Sequence, residues 1–171
     1  MESFYNEISK NINKIDLDNK REYLKNIILD IKSNANNLFI FANGGSNSIA
    51  DHLLIDFINR GVKCHTFNHS SIITCFANDY GYENHIRKII ELFVNKNDFV
   101  IFISSSGNSK NIINSVKYCN KNSIKYFSLS GFDKNNALNK LSDNFLWIDS
   151  RNYNVIESLH QIFLLSVVEE L

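Results

Sequence analysis

The sequence predicts a doubly wound α/β fold: a parallel five-stranded sheet with helices on both faces, behind a helical lead-in. Three observations carry that expectation. Short apolar runs recur along the chain, each followed by a polar turn and an amphipathic stretch. Runs such as Leu38-Phe39-Ile40-Phe41 and Phe99-Val100-Ile101-Phe102-Ile103 are apolar without alternation, as strands covered on both faces are. The stretches between the runs are long enough to serve as helical crossovers.

Taken in order, residues 4–33 place Phe4, Ile8, Ile12 and Ile15, then Leu24, Ile27, Ile28 and Ile31, at spacings of three and four. That pattern predicts one long helix or two shorter ones. Strands are expected at 38–41, 62–67, 99–103, 124–129 and 145–148. A helix is expected from the loop after the first strand to about Arg60. The chain has no proline, and Asn-rich turns such as Lys134-Asn135-Asn136 punctuate it instead. The last segment presents Ile156, Leu159, His160, Phe163, Leu164, Val167, Val168 and Leu171, a broad apolar helical face that needs the sheet or another subunit to cover it. With no linker or internal repeat, one domain over 1–171 is expected: a lead-in over 1–36 and an α/β core over 37–171.

The 171 residues suffice to bury a core without disulfide or metal staples. Lys plus Arg and Asp plus Glu number 18 each, so no net field attracts nucleic acid or an anionic membrane, and an anion must be bound locally. Cys64, Cys75 and Cys119 lack the paired spacing of a zinc knuckle or redox motif and are expected as reduced core thiols. The first residues lack a basic stretch followed by an apolar run, and no apolar stretch approaches a bilayer span of about 20 residues. A cytoplasmic protein with neither nucleic acid nor membrane as partner is the expectation.

Two loops carry the chemistry. After the first strand, Asn43-Gly44-Gly45-Ser46 opens a helix: glycines let a ligand approach the backbone, Ser46 and Asn47 are candidate caps, and the helix N-terminus offers free N–H groups. After the third strand, Ser104-Ser105-Ser106-Gly107-Asn108-Ser109 gathers four hydroxyls and a glycine at another strand-to-helix turn. Such a loop can surround a phosphate without Lys or Arg. It is neither a P-loop nor a dinucleotide fingerprint, since both G-x-x-x-x-G-K-[ST] and G-x-G-x-x-G are missing.

These loops, with Asn78-Asp79-Tyr80-Gly81-Tyr82-Glu83 and the Ser-Gly-Asn-Ser-Lys ending at Lys110, resemble the sugar isomerase domains. Within them the likeness is to the sedoheptulose 7-phosphate isomerases, which start heptose synthesis for bacterial surface glycans such as lipopolysaccharide or capsule. The resemblance covers nearly the whole chain. It implies a phosphate held by Ser46 with Ser104, Ser105, Ser106 and Ser109, with Asn43 and Asp79 nearer the sugar and Gly44 and Gly45 shaping the loop. It also implies a homotetramer with active sites between subunits.

The chain leaves the family pattern at three positions. His52 matches, but Asp56 stands where the family has a proton-transferring Glu, and spacing of four puts the pair on one helical face. On the last helix Glu157 replaces a Gln, and Leu165 replaces a His that acts as second acid or base. Some members bind zinc at these positions, which makes His52, Asp56 and Glu157 candidate ligands as well as candidate catalytic residues. Two readings follow: an aldose–ketose isomerase in which Asp56 and Glu157 move protons, or a catalytically silent module binding a phosphosugar or a protein. His160, among Ile156, Leu159 and Phe163, is expected to pack rather than to replace the missing His.

Overall fold

In the computed structural model, which describes residues 3–16 and 19–171, the lead-in forms two helices, α1 (Phe4–Asp16) and α2 (Lys20–Ser33). Residues 1, 2, 17 and 18 of the expected 1–36 segment lie outside the described residues. The spacing of Leu24, Ile28 and Ile31 puts all three on the buried face of α2.

Five strands follow, β1 (Asn37–Phe41), β2 (Lys63–His65), β3 (Phe99–Ser104), β4 (Lys125–Ser130) and β5 (Phe145–Trp147). They form one sheet in the order β2-β1-β3-β4-β5, with every pairing parallel. Helix α3 (Gly45–Asn59) connects β1 to β2, and α4 (Ser70–Tyr80) and α5 (His85–Phe93) connect β2 to β3. Helix α6 (Lys110–Asn122) leads to β4, α7 (Ala137–Leu141) to β5, and α8 (Tyr153–Val168) closes the fold. The chain winds one way from β1 to β2 and then returns to pair β3 with the other edge of β1. Phe41 lies opposite Phe102, so the loops leaving β1 and β3 open side by side at this reversal, where open α/β sheets bind their ligands.

Both sheet faces are covered, which explains why the strands need no alternation. On one face Leu38, Ile40, Phe99, Ile101 and Phe127 pack with residues of α2, α3 and α8. On the other, Phe39, Phe41, Val100 and Phe102 pack with Ile86, Ile89 and Ile90 of α5 and Ile112 and Val116 of α6. All six residues of β3 are buried, each apolar side chain contributing about 1.5–3 kcal/mol relative to exposure.

Two expectations are corrected, and one open alternative is resolved. Strand β2 is shorter than 62–67, because it is an edge strand paired only with β1. Burial raises the thiols of Cys64 and Cys119 to about 12, as fits inert core cysteines, but Cys75 is exposed on α4, a helix with no buried residue. The apolar face of α8 is buried within the chain: Val155, Ile156, Leu159, Phe163, Leu164, Val167 and Val168 pack against the lead-in helices, α3 and the sheet. That face therefore gives no support for a second subunit. Among the described residues no helix is long and apolar enough to cross a membrane.

Candidate functional site

The loop after β1 reaches α3 through Gly44, whose φ of +54° lies in the left-handed region that favours glycine. Helix α3 begins at Gly45, two residues earlier than a Ser46 cap requires, and no side chain caps it. The buried Ser46 hydroxyl instead donates to Glu157 Oε1 on α8 at 2.9 Å and lies 3.4 Å from Ser105 Oγ. Gly45 is needed for space. A Cβ there would stand 2.8 Å from Glu157 Oε2, so the carboxylate rests directly on the first turn of α3.

The loop after β3 is held from beneath. Ser104 and Ser105 are buried, and the Ser105 carbonyl accepts from Gly131 N at 2.8 Å. The Gly107 carbonyl accepts from Leu138 N at 2.9 Å, and at a φ of +65° Gly107 packs so closely on Asn136 that any side chain would collide with it. Ser104 donates to Ser109 Oγ at 3.1 Å, while Ser106 Oγ accepts from Asn108 N at 3.2 Å. Beneath this support lies His160, fully buried, its Nε2 3.1 Å from the Ser130 carbonyl. Desolvation pushes its pKa down to about 4, which agrees with a packing role.

Asn43, Gly44, Gly45, Ser46, Ser104, Ser105, Ser106 and Ser109 line one cavity of about 240 Å³ together with Ile103, Tyr153 and Glu157. A second cavity of about 460 Å³ adjoins it, lined by Ser48, Ile49, His52, Asn154, Ser158 and Gln161, and shares Gly45 and Glu157 with it. Among the described residues no Lys or Arg lines either one. Another cavity, about 440 Å³, opens at the amino ends of the strands, but its buried carboxylate, Asp98, is spent bracing the backbone N–H groups of Asn37 and Asn95.

The structure brings together His52 and Glu157 but not every predicted residue. Asp56 lines neither cavity; it stands behind His52, its Oδ2 3.2 Å from Nε2. Asp79 is exposed at the end of α4, where it accepts from Asn78 Nδ2 at 3.0 Å, and it too lines neither cavity. Leu165 packs against the core. Sequence reasoning missed Tyr153 and Gln161, although each lies four residues from Glu157 and hence on its side of α8. It also missed the clamp on Asn43, which exchanges hydrogen bonds of 3.0 and 2.8 Å with Asn111 and accepts another of 3.0 Å from Tyr82.

No protein-family model matches the chain. The chain is 32% identical over 160 residues to phosphoheptose isomerase 2 of Campylobacter jejuni, a match covering 86% of this chain and 79% of that protein. It is 31% identical to a phosphoheptose isomerase of Helicobacter pylori over 88% of this chain and 83% of that one. The chain belongs to the phosphoheptose isomerase family. The solved phosphoheptose isomerase of Neisseria gonorrhoeae superposes with a TM-score of 0.88 at 21% identity, over 96% of this chain and 92% of that one.

Within the phosphoheptose isomerase family frame, the candidate zinc ligands His52, Asp56 and Glu157 do not fit a metal as they stand. Both ring nitrogens of His52 are engaged, Nε2 by Asp56 and Nδ1 by Gln161 Nε2 at 3.0 Å, and Glu157 is turned toward Ser46. Among the described residues no three His, Cys, Asp or Glu side chains converge as a metal site does.

Proposed function

We propose that this chain is an aldose–ketose isomerase that acts on a phosphorylated sugar of the heptose class, through a cis-enediol, in a single phosphosugar-binding domain. The observation that supports this most is the Glu157 carboxylate, seated between a serine-lined cavity suited to phosphate and a larger polar cavity suited to the rest of the sugar. The phosphate is held by the hydroxyls of Ser46, Ser104, Ser105, Ser106 and Ser109 and by N–H groups at the starts of α3 and α6. Glu157 takes the proton from the carbon beside the carbonyl while the carbonyl oxygen gains one, giving the enediol. Returning the proton to the former carbonyl carbon, while the hydroxyl on the carbon first deprotonated loses its proton and becomes the new carbonyl, completes the transfer. His52 faces the second cavity and is the better partner for Glu157; Asp56 orients it.

A homotetramer in the cytoplasm, working in surface-glycan precursor synthesis, completes the proposal. Its oligomeric part is supported by exposed apolar residues, Ile55 and Ile58 on α3 and Ile162 on α8, and by α4 with no buried residue. A second reading, a silent phosphosugar-binding or protein-binding module, is favoured by one observation: Leu165, half-buried against the core, cannot move a proton. Incubation with a panel of ketose and aldose phosphates in deuterated water separates the two. Deuterium entering C1 or C2 supports the enzyme; binding without exchange across the panel supports the silent module.

A further inference from the structure

Glu157 places a carboxylate where a cation-free anion site would put its ligand. Its Oε1 accepts from Ser46, the hydroxyl that also reaches Ser105, and its Oε2 lies against Gly45 at the first turn of α3. The helix dipole favours negative charge at that turn, and the carboxylate occupies the Ser46 hydroxyl that a phosphate would otherwise take. Among the described residues the lining offers no Lys or Arg to neutralise a second anion. A phosphate entering beside a fixed carboxylate would meet like-charge repulsion at contact distance. The side chain has somewhere to go, because Glu157 also lines the larger cavity with His52, Asn154, Ser158 and Gln161.

We propose that Glu157 is a displaceable stand-in for the substrate's phosphate: the incoming phosphate takes over the hydrogen bond from Ser46 and moves the carboxylate toward the His52 cavity. The inference rests on the phosphosugar reading of the serine cavity. It makes Glu157 a specificity determinant, since a ligand without an anionic group cannot replace the carboxylate and leaves it turned away from the sugar. The group that holds the site in the free protein is then delivered to the reacting end only when the correct ligand binds.

Titration calorimetry of inorganic phosphate into the full chain, Glu157→Gln and Glu157→Ala tests this. Both variants should bind phosphate at least about fivefold more tightly than the parent, because the parent must first move aside a unit charge that would otherwise stand about 4 Å from the phosphate. Equal or weaker binding in both would overturn the proposal. Tightening in Glu157→Gln alone would also overturn it, because the new amide N–H and not the lost charge would then be responsible. Thermal melts show whether each variant is folded, and the near-isosteric Gln keeps the test open if Ala is not. A phosphate-bound crystal structure should show the Ser46–Glu157 contact broken; its survival beside bound phosphate would refute displacement. Tighter phosphate binding in the variants with no deuterium exchange in the parent would retain the displacement and discard the isomerase.

Discussion

The two cavities that meet at Glu157 are built differently. The serine cavity rests on buried groups: Ser46, Ser104 and Ser105 are buried apart from what they show the cavity, and backbone bonds from Gly131 and Leu138 brace the loop below. The neighbouring cavity is walled by side chains on the rims of α3 and α8, and the His52 side chain is 51% exposed. One is set by the sheet and its turns. The other is set by rotamers that a ligand or a second subunit can rearrange. Substitutions should therefore cost stability in the first region and mainly catalysis or specificity in the second, with Glu157, shared by both, as the exception.

The largest effect is expected at that shared residue. Glu157→Gln should lower turnover of any accepted phosphosugar by about 10² to 10⁴-fold, the usual worth of positioned acid–base catalysis. Steady-state kinetics checks it, and unchanged turnover would remove Glu157 from the chemistry altogether. Gly107→Ala tests the rigid side. It forces an alanine into left-handed backbone and into Asn136, and should cost about 3 kcal/mol in urea unfolding. A cost below about 1 kcal/mol would mean that the loop yields as easily as the rim.

The support beneath the serine cavity also predicts a pH dependence. His160 has its folded pKa lowered to about 4 from 6.5, so the folded state prefers the neutral ring. Its share of stability is complete above about pH 6.5 and is lost as pH falls toward 4, at about 1.4 kcal/mol per pH unit, or about 3 kcal/mol in all. Desolvation lowers His85 as well, in the same sense. Urea melts between pH 7 and 4 should show the decline, and His160→Gln should flatten most of it. The smallest effect is expected on the rim. Asp56→Asn breaks a part-exposed pair with His52 and should change stability by less than about 1 kcal/mol while lowering turnover through a misoriented ring. A large stability loss would show that the rim is as fixed as the cradle.

Much of this was legible in the chain. The strands, the helical lead-in and the two serine and glycine loops are local patterns, and the strand-to-helix order alone predicts that both loops open at the carboxyl ends of the strands. Even His160 was readable, because its apolar neighbours at helical spacing place it on the buried face. What periodicity reports is that a face is apolar, not what covers it. The face of α8 was compatible with a second subunit, and only the packing of α8 on the lead-in helices and α3 shows that the chain covers it itself. The start of α3 depended on one residue of backbone geometry at Gly44, which turned Ser46 from a cap into a donor. The approach of Glu157 to Ser46 spans 111 residues of sequence, and no local rule encodes it. Tertiary structure alone decided that Glu157 enters the serine cavity while Asp56 and Asp79 remain outside, because side-chain position there follows from how α3, α4 and α8 pack around the sheet rather than from any spacing along the chain.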